Sequence, residues 1–310
     1  METVNTTSLT FSCTSHHELC NIYNSIVYIP TNTASIIINL LHLLVLRNMH
    51  GLKELNYFWV LVNLTLGDIG MSVAGILIVN CEIWNSGNCF TIIVSYAVIG
   101  CAFQVRYWLL TLAVLDRYYA VCKPFKYATS KFINNVGKWA AVGWILNAML
   151  TLTDAFLSCS RFCFDSLEEP FPELSLDVSK YLNITIILSA VLPAMVSKVL
   201  LIKISVELKR MKQRRNATVE DKETQSETRY IRNVFVMFYV SIIPNLVLVI
   251  SFMIKIDTSG AVWLTSFALF TNLLYGIGNV VLYGVLHKAY VTTVKSICRL
   301  LCPVARISPQ

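Results

Sequence analysis

Apolar residues gather in this chain into seven long runs, roughly 25–46, 55–80, 90–119, 137–158, 181–206, 231–254 and 261–286, joined by short polar connections. A helix needs about twenty mostly apolar residues to cross the hydrocarbon core of a bilayer, and each run is long enough. The pattern predicts an all-α membrane protein built as a seven-transmembrane helix bundle. The cores of the first, sixth and seventh runs carry no acidic or basic side chain except His42 in the first. After the seventh run the pattern changes: over His287–Cys302, Tyr290, Val294, Ile297 and Leu301 share one helical face, and Lys288, Lys295 and Arg299 fall mostly off it. That spacing predicts a short amphipathic helix lying on the membrane surface, an ordinary basic tail being the alternative.

Composition narrows the class. Hydrophobic residues make up 55% and charged residues 14% of the 310 positions, too little charge for the surface of a soluble domain. The net charge of +7 is not spread evenly. Lys123, Lys126 and Lys131 follow the third run, Lys209, Arg210, Lys212, Arg214 and Arg215 the fifth, and Lys288, Lys295 and Arg299 the seventh. The loop after the fourth run is acidic instead, with Asp165, Glu168, Glu169, Glu173 and Asp177. Positive flanks stay in the cytoplasm, so the N-terminus is expected outside and the C-terminus inside. Charge distributed this way implies membrane lipids as partners and no nucleic acid.

The expected organisation is an extracellular segment 1–24, a membrane domain 25–286 and a cytoplasmic helix and tail 287–310 of a multi-pass plasma-membrane protein. The first twenty-four residues lack the pattern of a cleaved signal and are expected to remain in the mature chain. Asn5-Thr6-Thr7 is a glycosylation acceptor on the outer side. Cys13, Cys20, Cys89, Cys159 and Cys163 also fall outside, where disulfides form; Cys89 with Cys163 is the preferred pair, and Cys159 is nearly as good a partner. Cys298 and Cys302 lie inside near the membrane as candidate palmitoylation sites, or as idle thiols.

Several motifs now fall in order. Leu115-Asp116-Arg117-Tyr118 ends the third run, and Asn63-Leu64-Thr65-Leu66-Gly67-Asp68 lies in the second. Asn39, Trp144, Pro193 and Pro244 mark the first, fourth, fifth and sixth runs, and Asn279-Val280-Val281-Leu282-Tyr283 the seventh. Together they resemble the rhodopsin-like (class A) G-protein-coupled receptors, over almost the whole chain. The resemblance implies a receptor that couples ligand binding to a heterotrimeric G protein. In that scheme Asp116 holds Arg117 until the sixth helix swings outward, Pro124 and Phe125 contact the G protein, and Phe238, Asn279 and Tyr283 belong to the switch.

Departures from the family are informative. Ile242 replaces the sixth-span tryptophan, Val280 the seventh-span proline, Leu201 a fifth-span tyrosine and Thr224 an acidic partner of the arginine. Fewer resting-state locks imply raised basal signalling if coupling survives. Arg106 is the sharpest departure, standing eleven residues before Arg117 and so three helical turns deeper. Relatives hold a small polar residue there which, with the second-span aspartate, binds sodium. An Arg106–Asp68 ion pair replacing that ion is expected, with Asn39 and Asn279 adding hydrogen bonds.

The resemblance also places the ligand among the outer halves of the helices. Ile99 stands where amine receptors carry aspartate, and Leu273 where opsins carry the retinal lysine. The remaining lining is Gly100, Phe103, Gln104, Ile186, Leu246, Val249 and Leu269, with Thr185, Ser189, Asn245 and Asn272 as scattered polar groups. Such a pocket suits a neutral, largely apolar small molecule held by one or two hydrogen bonds.

The text from Tyr119 to Tyr127 resembles that of vertebrate odorant receptors and related orphan chemoreceptors, although Ala113-Val114-Leu115 and Val280 differ from their usual residues. The acidic loop keeps a peptide ligand open, and a receptor fold that no longer couples and serves as a decoy or chaperone partner is the other alternative. No catalytic constellation or cofactor motif is expected, since His42 alone makes neither. Repeated halves of the transporter kind are not evident.

Overall fold

The computed structural model describes residues 24–49, 56–84, 89–127, 129–163, 172–214 and 258–301, with 229, 232, 233 and 236 besides. Six long helices and one amphipathic helix account for most of them. Helix α1 starts as a π-helical turn at Asn24–Tyr28 and continues through Ile29–Asn48; α2 is Asn56–Trp84, α3 Cys89–Cys122 and α4 Val136–Cys163. Helix α5 is Pro172–Arg214, α6 Thr258–Leu286 and α7 Lys288–Leu301. Helix α6 therefore holds the seventh apolar run. The sixth, 231–254, lies almost wholly outside the described residues.

Among the described residues three stretches are both long and apolar enough to cross a membrane: Ile26–Asn48, Phe58–Val79 and Phe90–Cys122. Helix α4 is diluted by Lys138, Asn147 and Asp154. The arrangement is nonetheless inside out relative to a soluble protein. On α1 the buried face is Asn32, Ser35, Asn39 and His42, and Ile37, Leu40, Leu41 and Leu44 face outward. Polar groups turned inward and apolar ones outward are what a hydrocarbon solvent demands, because only the interior offers hydrogen-bond partners.

Helix α3 is the axis of the bundle and packs on α2, α4 and α5, while α1 packs on α2 and α6. Cys101, Val105, Leu109, Leu110 and Leu112 on α3 are buried. Its seam with α4 is keyed. A Cβ on Gly143 would come within 2.1 Å of Trp108 Cδ1, so glycine alone leaves room for that indole. Trp108 Nε1 then donates to the Trp139 carbonyl at 2.8 Å. A second indole, Trp144, donates from Nε1 to Asn63 Oδ1 on α2 at 2.9 Å.

Helix α7 runs over Lys288–Leu301, with Tyr290 buried, Val294 and Ile297 packed on the core, and Lys295 exposed. The amphipathic face read from sequence is the face that packs.

Candidate functional site

Two arginines on α3 define the site. Arg106 is buried at the centre of the bundle, its Nη2 donating to Asp68 Oδ1 of α2, with side chains 2% exposed on both sides of the pair. The same nitrogen lies 3.6 Å from Met71 Sδ, and the guanidinium sits 4.8 Å from the centre of the Tyr275 ring on α6. Ion pair, thioether and aromatic face thus share one cation. Space for the carboxylate comes from Gly276, where a Cβ would approach Asp68 Cγ at 3.0 Å.

The surrounding amides and hydroxyls are arranged differently from the expectation. Asn39 does not reach the ion pair. Its Nδ2 donates to the Ser35 carbonyl at 2.9 Å and to Ser35 Oγ at 3.3 Å, one turn back on its own helix. A backbone carbonyl four residues back is always within reach of a short polar side chain in a helix, and here it wins. Ser72 completes the link, donating to Ser35 Oγ at 3.0 Å and lying 2.9 Å from the Asp68 carbonyl. Asn279 is buried nearby on α6.

Arg117 sits at the far end of α3 and is paired with its own neighbour. Nε and Nη2 donate to Asp116 Oδ2 at 2.9 and 2.5 Å. Tyr127 Oη donates to the other oxygen, Asp116 Oδ1, at 3.0 Å. The tyrosine is carried there by a one-turn helix, Pro124–Tyr127, whose proline occupies the first helical position, where a missing N–H costs nothing. The Tyr127 N–H bonds the Lys123 carbonyl at 3.1 Å, and Lys123 Nζ lies 5.5 Å over the Tyr118 ring. That turn leaves Phe125 96% exposed.

Tyr283 is buried in a ring cluster. It stacks on His287 at 4.2 Å and meets His42 and Tyr290 edge-on at 5.6 and 5.3 Å. His42 Nδ1 and Tyr290 Oη are hydrogen-bonded at 2.9 Å, tying α1 to α7. His287 lies in the bend between α6 and α7, and burial pushes its imidazole down to about 4. The signal in the sequence was His42, a histidine in an otherwise uncharged run.

Of the ligand-pocket residues, Gln104 and Ser189 meet, Ser189 Oγ donating to Oε1 at 3.1 Å. Phe103 packs edge-on against Tyr107 at 5.5 Å, and Ile99 is partly buried. Gly100 faces helix α4 instead, where a Cβ would meet Thr151 Cγ2 at 3.2 Å; it is a helix contact. Asn5, Phe238, Asn245, Leu246, Val249 and Cys302 lie outside the described residues, as do the side chains of Cys89, Cys159, Cys163, Thr185, Leu269, Asn272 and Cys298. Among the described residues no three His, Cys, Asp or Glu side chains gather as a metal site.

No curated protein matches this chain. A family model does: that of the 7 transmembrane receptor (rhodopsin family) matches residues 38–283, from the first helix through Tyr283. With most of the chain matched and the Asp116–Arg117 pair at the end of α3, the chain belongs to the rhodopsin family of seven-transmembrane receptors.

Proposed function

We propose that this receptor converts binding of a small, neutral, largely apolar ligand into activation of a heterotrimeric G protein. The observation that carries the coupling half is the Asp116–Arg117 pair beside an almost fully exposed Phe125. The arginine is held by hydrogen bonds that a helix displacement can release, and the phenylalanine offers an apolar anchor to a partner. That pairing is a two-state element biased by ligand, with no bond made or broken. The ligand half rests on the Gln104–Ser189 hydrogen bond, a polar contact between α3 and α5.

In the same reading the N-terminus is extracellular, residues 25–286 form the membrane domain, and 287–310 lie in the cytoplasm of a plasma-membrane protein. Asn5 carries a glycan, Cys89 pairs with Cys163 or Cys159, and Cys298 and Cys302 accept palmitate. The Arg106–Asp68 pair takes the place of the sodium ion of relatives, since the guanidinium already neutralises the carboxylate charge that would attract a cation. The chemosensory character rests on the Tyr119–Tyr127 text alone.

The test is a panel of neutral volatile and lipophilic compounds applied to cells expressing the receptor with a promiscuous G protein. A second-messenger response that disappears in Arg117→Ala at equal surface amount is expected. A response that survives Arg117→Ala counts against the Asp116–Arg117 pair as the switch; a wild type indistinguishable from mock-transfected cells both at rest and across the panel counts against coupling and favours the decoy.

A further inference from the structure

At the start of α4, six residues line an open surface cleft of about 430 Å³: Lys131, Phe132, Asn135, Lys138, Trp139 and Val142. That is the size of a small-molecule site, commonly about 300–1,000 Å³. Two lysines line it and no acidic residue does. The aromatic wall is fixed in place, with the Phe132 and Trp139 rings 5.2 Å apart and the Trp139 carbonyl bonded to Trp108 Nε1 of α3. Asn135 Nδ2 bonds the Lys131 carbonyl at 2.7 Å, bracing the turn that presents the first lysine.

What leaves the cleft decides what enters it. Val142, Ile145, Leu146, Met149, Leu152 and Phe156 are all exposed and fall at i, i+3, i+4, i+7, i+10 and i+14, the spacing of one helical face. They form one stripe down the outward face of α4. At 1.5 Å per residue the stripe is about 20 Å long, more than half the thickness of a hydrocarbon core of about 30 Å. A basic, aromatic cup continuous with an apolar track of that length matches an amphiphile with an anionic head and a hydrocarbon chain. A free anion would leave the track unused.

We propose that this cleft binds the phosphate headgroup of an anionic glycerophospholipid, with an acyl chain lying along the α4 stripe. The two lysines meet the headgroup charge, and Trp139 sits at the level of the glycerol backbone, where indoles favour the membrane interface. The site lies on the outer surface of the bundle and uses none of the groups assigned to ligand binding or coupling.

The full-length receptor in symmetric phosphatidylcholine nanodiscs tests this, because identical leaflets make the result independent of chain orientation. Phosphatidylserine or phosphatidylcholine brominated on the acyl chain is titrated in, and quenching of the Trp139 component is taken as the difference from Trp139→Phe. Half-maximal quenching at a mole fraction on the order of tenfold lower for brominated phosphatidylserine is expected. Lys131→Gln/Lys138→Gln should erase the preference while leaving quenching by phosphatidylcholine, and Lys131→Arg/Lys138→Arg should retain it. Equal quenching by the two lipids, or a preference that survives the glutamine pair, overturns the proposal. So does glycerol phosphate added to lipid-free buffer around the discs, if it abolishes the preference by competing as a soluble ion.

Discussion

Arg106 and Arg117 are carried by the same helix and both face a buried aspartate, yet they are held in opposite ways. Arg106 reaches across to α2, and its neighbours Met71 and Tyr275 come from α2 and α6, so releasing it means separating three helices. Arg117 is bound to the residue beside it in the chain, and the same carboxylate takes a hydrogen bond from Tyr127. The first pair is a fastener and the second a latch. Burial alone does not distinguish them, since both pairs are almost wholly sealed; the sequence distance between partners does.

The contrast is broken most severely from the deep end. Arg106→Ser or Asp68→Asn leaves one charge uncompensated in the interior, and each is expected to cost about 3–5 kcal/mol of stability, with the double replacement markedly milder than either. Thermal unfolding in detergent measures it; singles that unfold like the wild type would make the deep pair no fastener at all. Gly276→Ala presses on Asp68 without touching its charge. A Cβ placed 3.0 Å from Asp68 Cγ should cost about 1–3 kcal/mol, and the cost should shrink when combined with Asp68→Ala, which removes that atom.

At the shallow end, Tyr127→Phe removes one hydrogen bond from the Asp116 carboxylate, worth about 1.5–3 kcal/mol when the acceptor is charged. The fold should survive and ligand-free second-messenger output should rise, by about tenfold to a hundredfold if the full bond biases the latch. Unchanged basal output would show that Tyr127 positions the loop only.

The smallest effect is a pH dependence. His287 is held down to about 4 by burial in the folded chain, against an ordinary value of 6.5. Above pH 6.5 it is neutral in both states and contributes nothing to a pH slope. Between about 6.5 and 4 the unfolded chain binds a proton that the folded one refuses, so stability falls as pH falls. His287→Phe keeps the stack on Tyr283 and should reduce the drop in melting temperature between pH 7 and pH 5.

Much of this layout was legible because helices in a bilayer obey few rules. Eleven residues of fixed rise were enough to give Arg106 and Arg117 their different depths, and an uncharged run admits few partners for a buried arginine other than Asp68. The order of Asn39, Asp68, Asp116, Trp144 and Tyr283 likewise followed from their places in successive runs. What escaped was everything decided by helix rotation and rotamer. Gly100 was read as pocket wall and faces α4; Asn39 was read as a partner of the ion pair and turns back on Ser35. Tyr127 and the His42–Tyr290 bond were not foreseen, since neither the one-turn helix nor the approach of α7 to α1 leaves a periodic trace.

The indole of Trp108 in its notch at Gly143 bears on how such a bundle moves. Helices α3 and α4 cannot turn about their own axes relative to each other without driving the ring out of the only space that fits it and breaking its bond to Trp139. They behave as a stator, a single fixed piece of machinery that carries both arginines. Whatever swings during signalling must swing against that piece, so the ground that holds still is specified by one glycine.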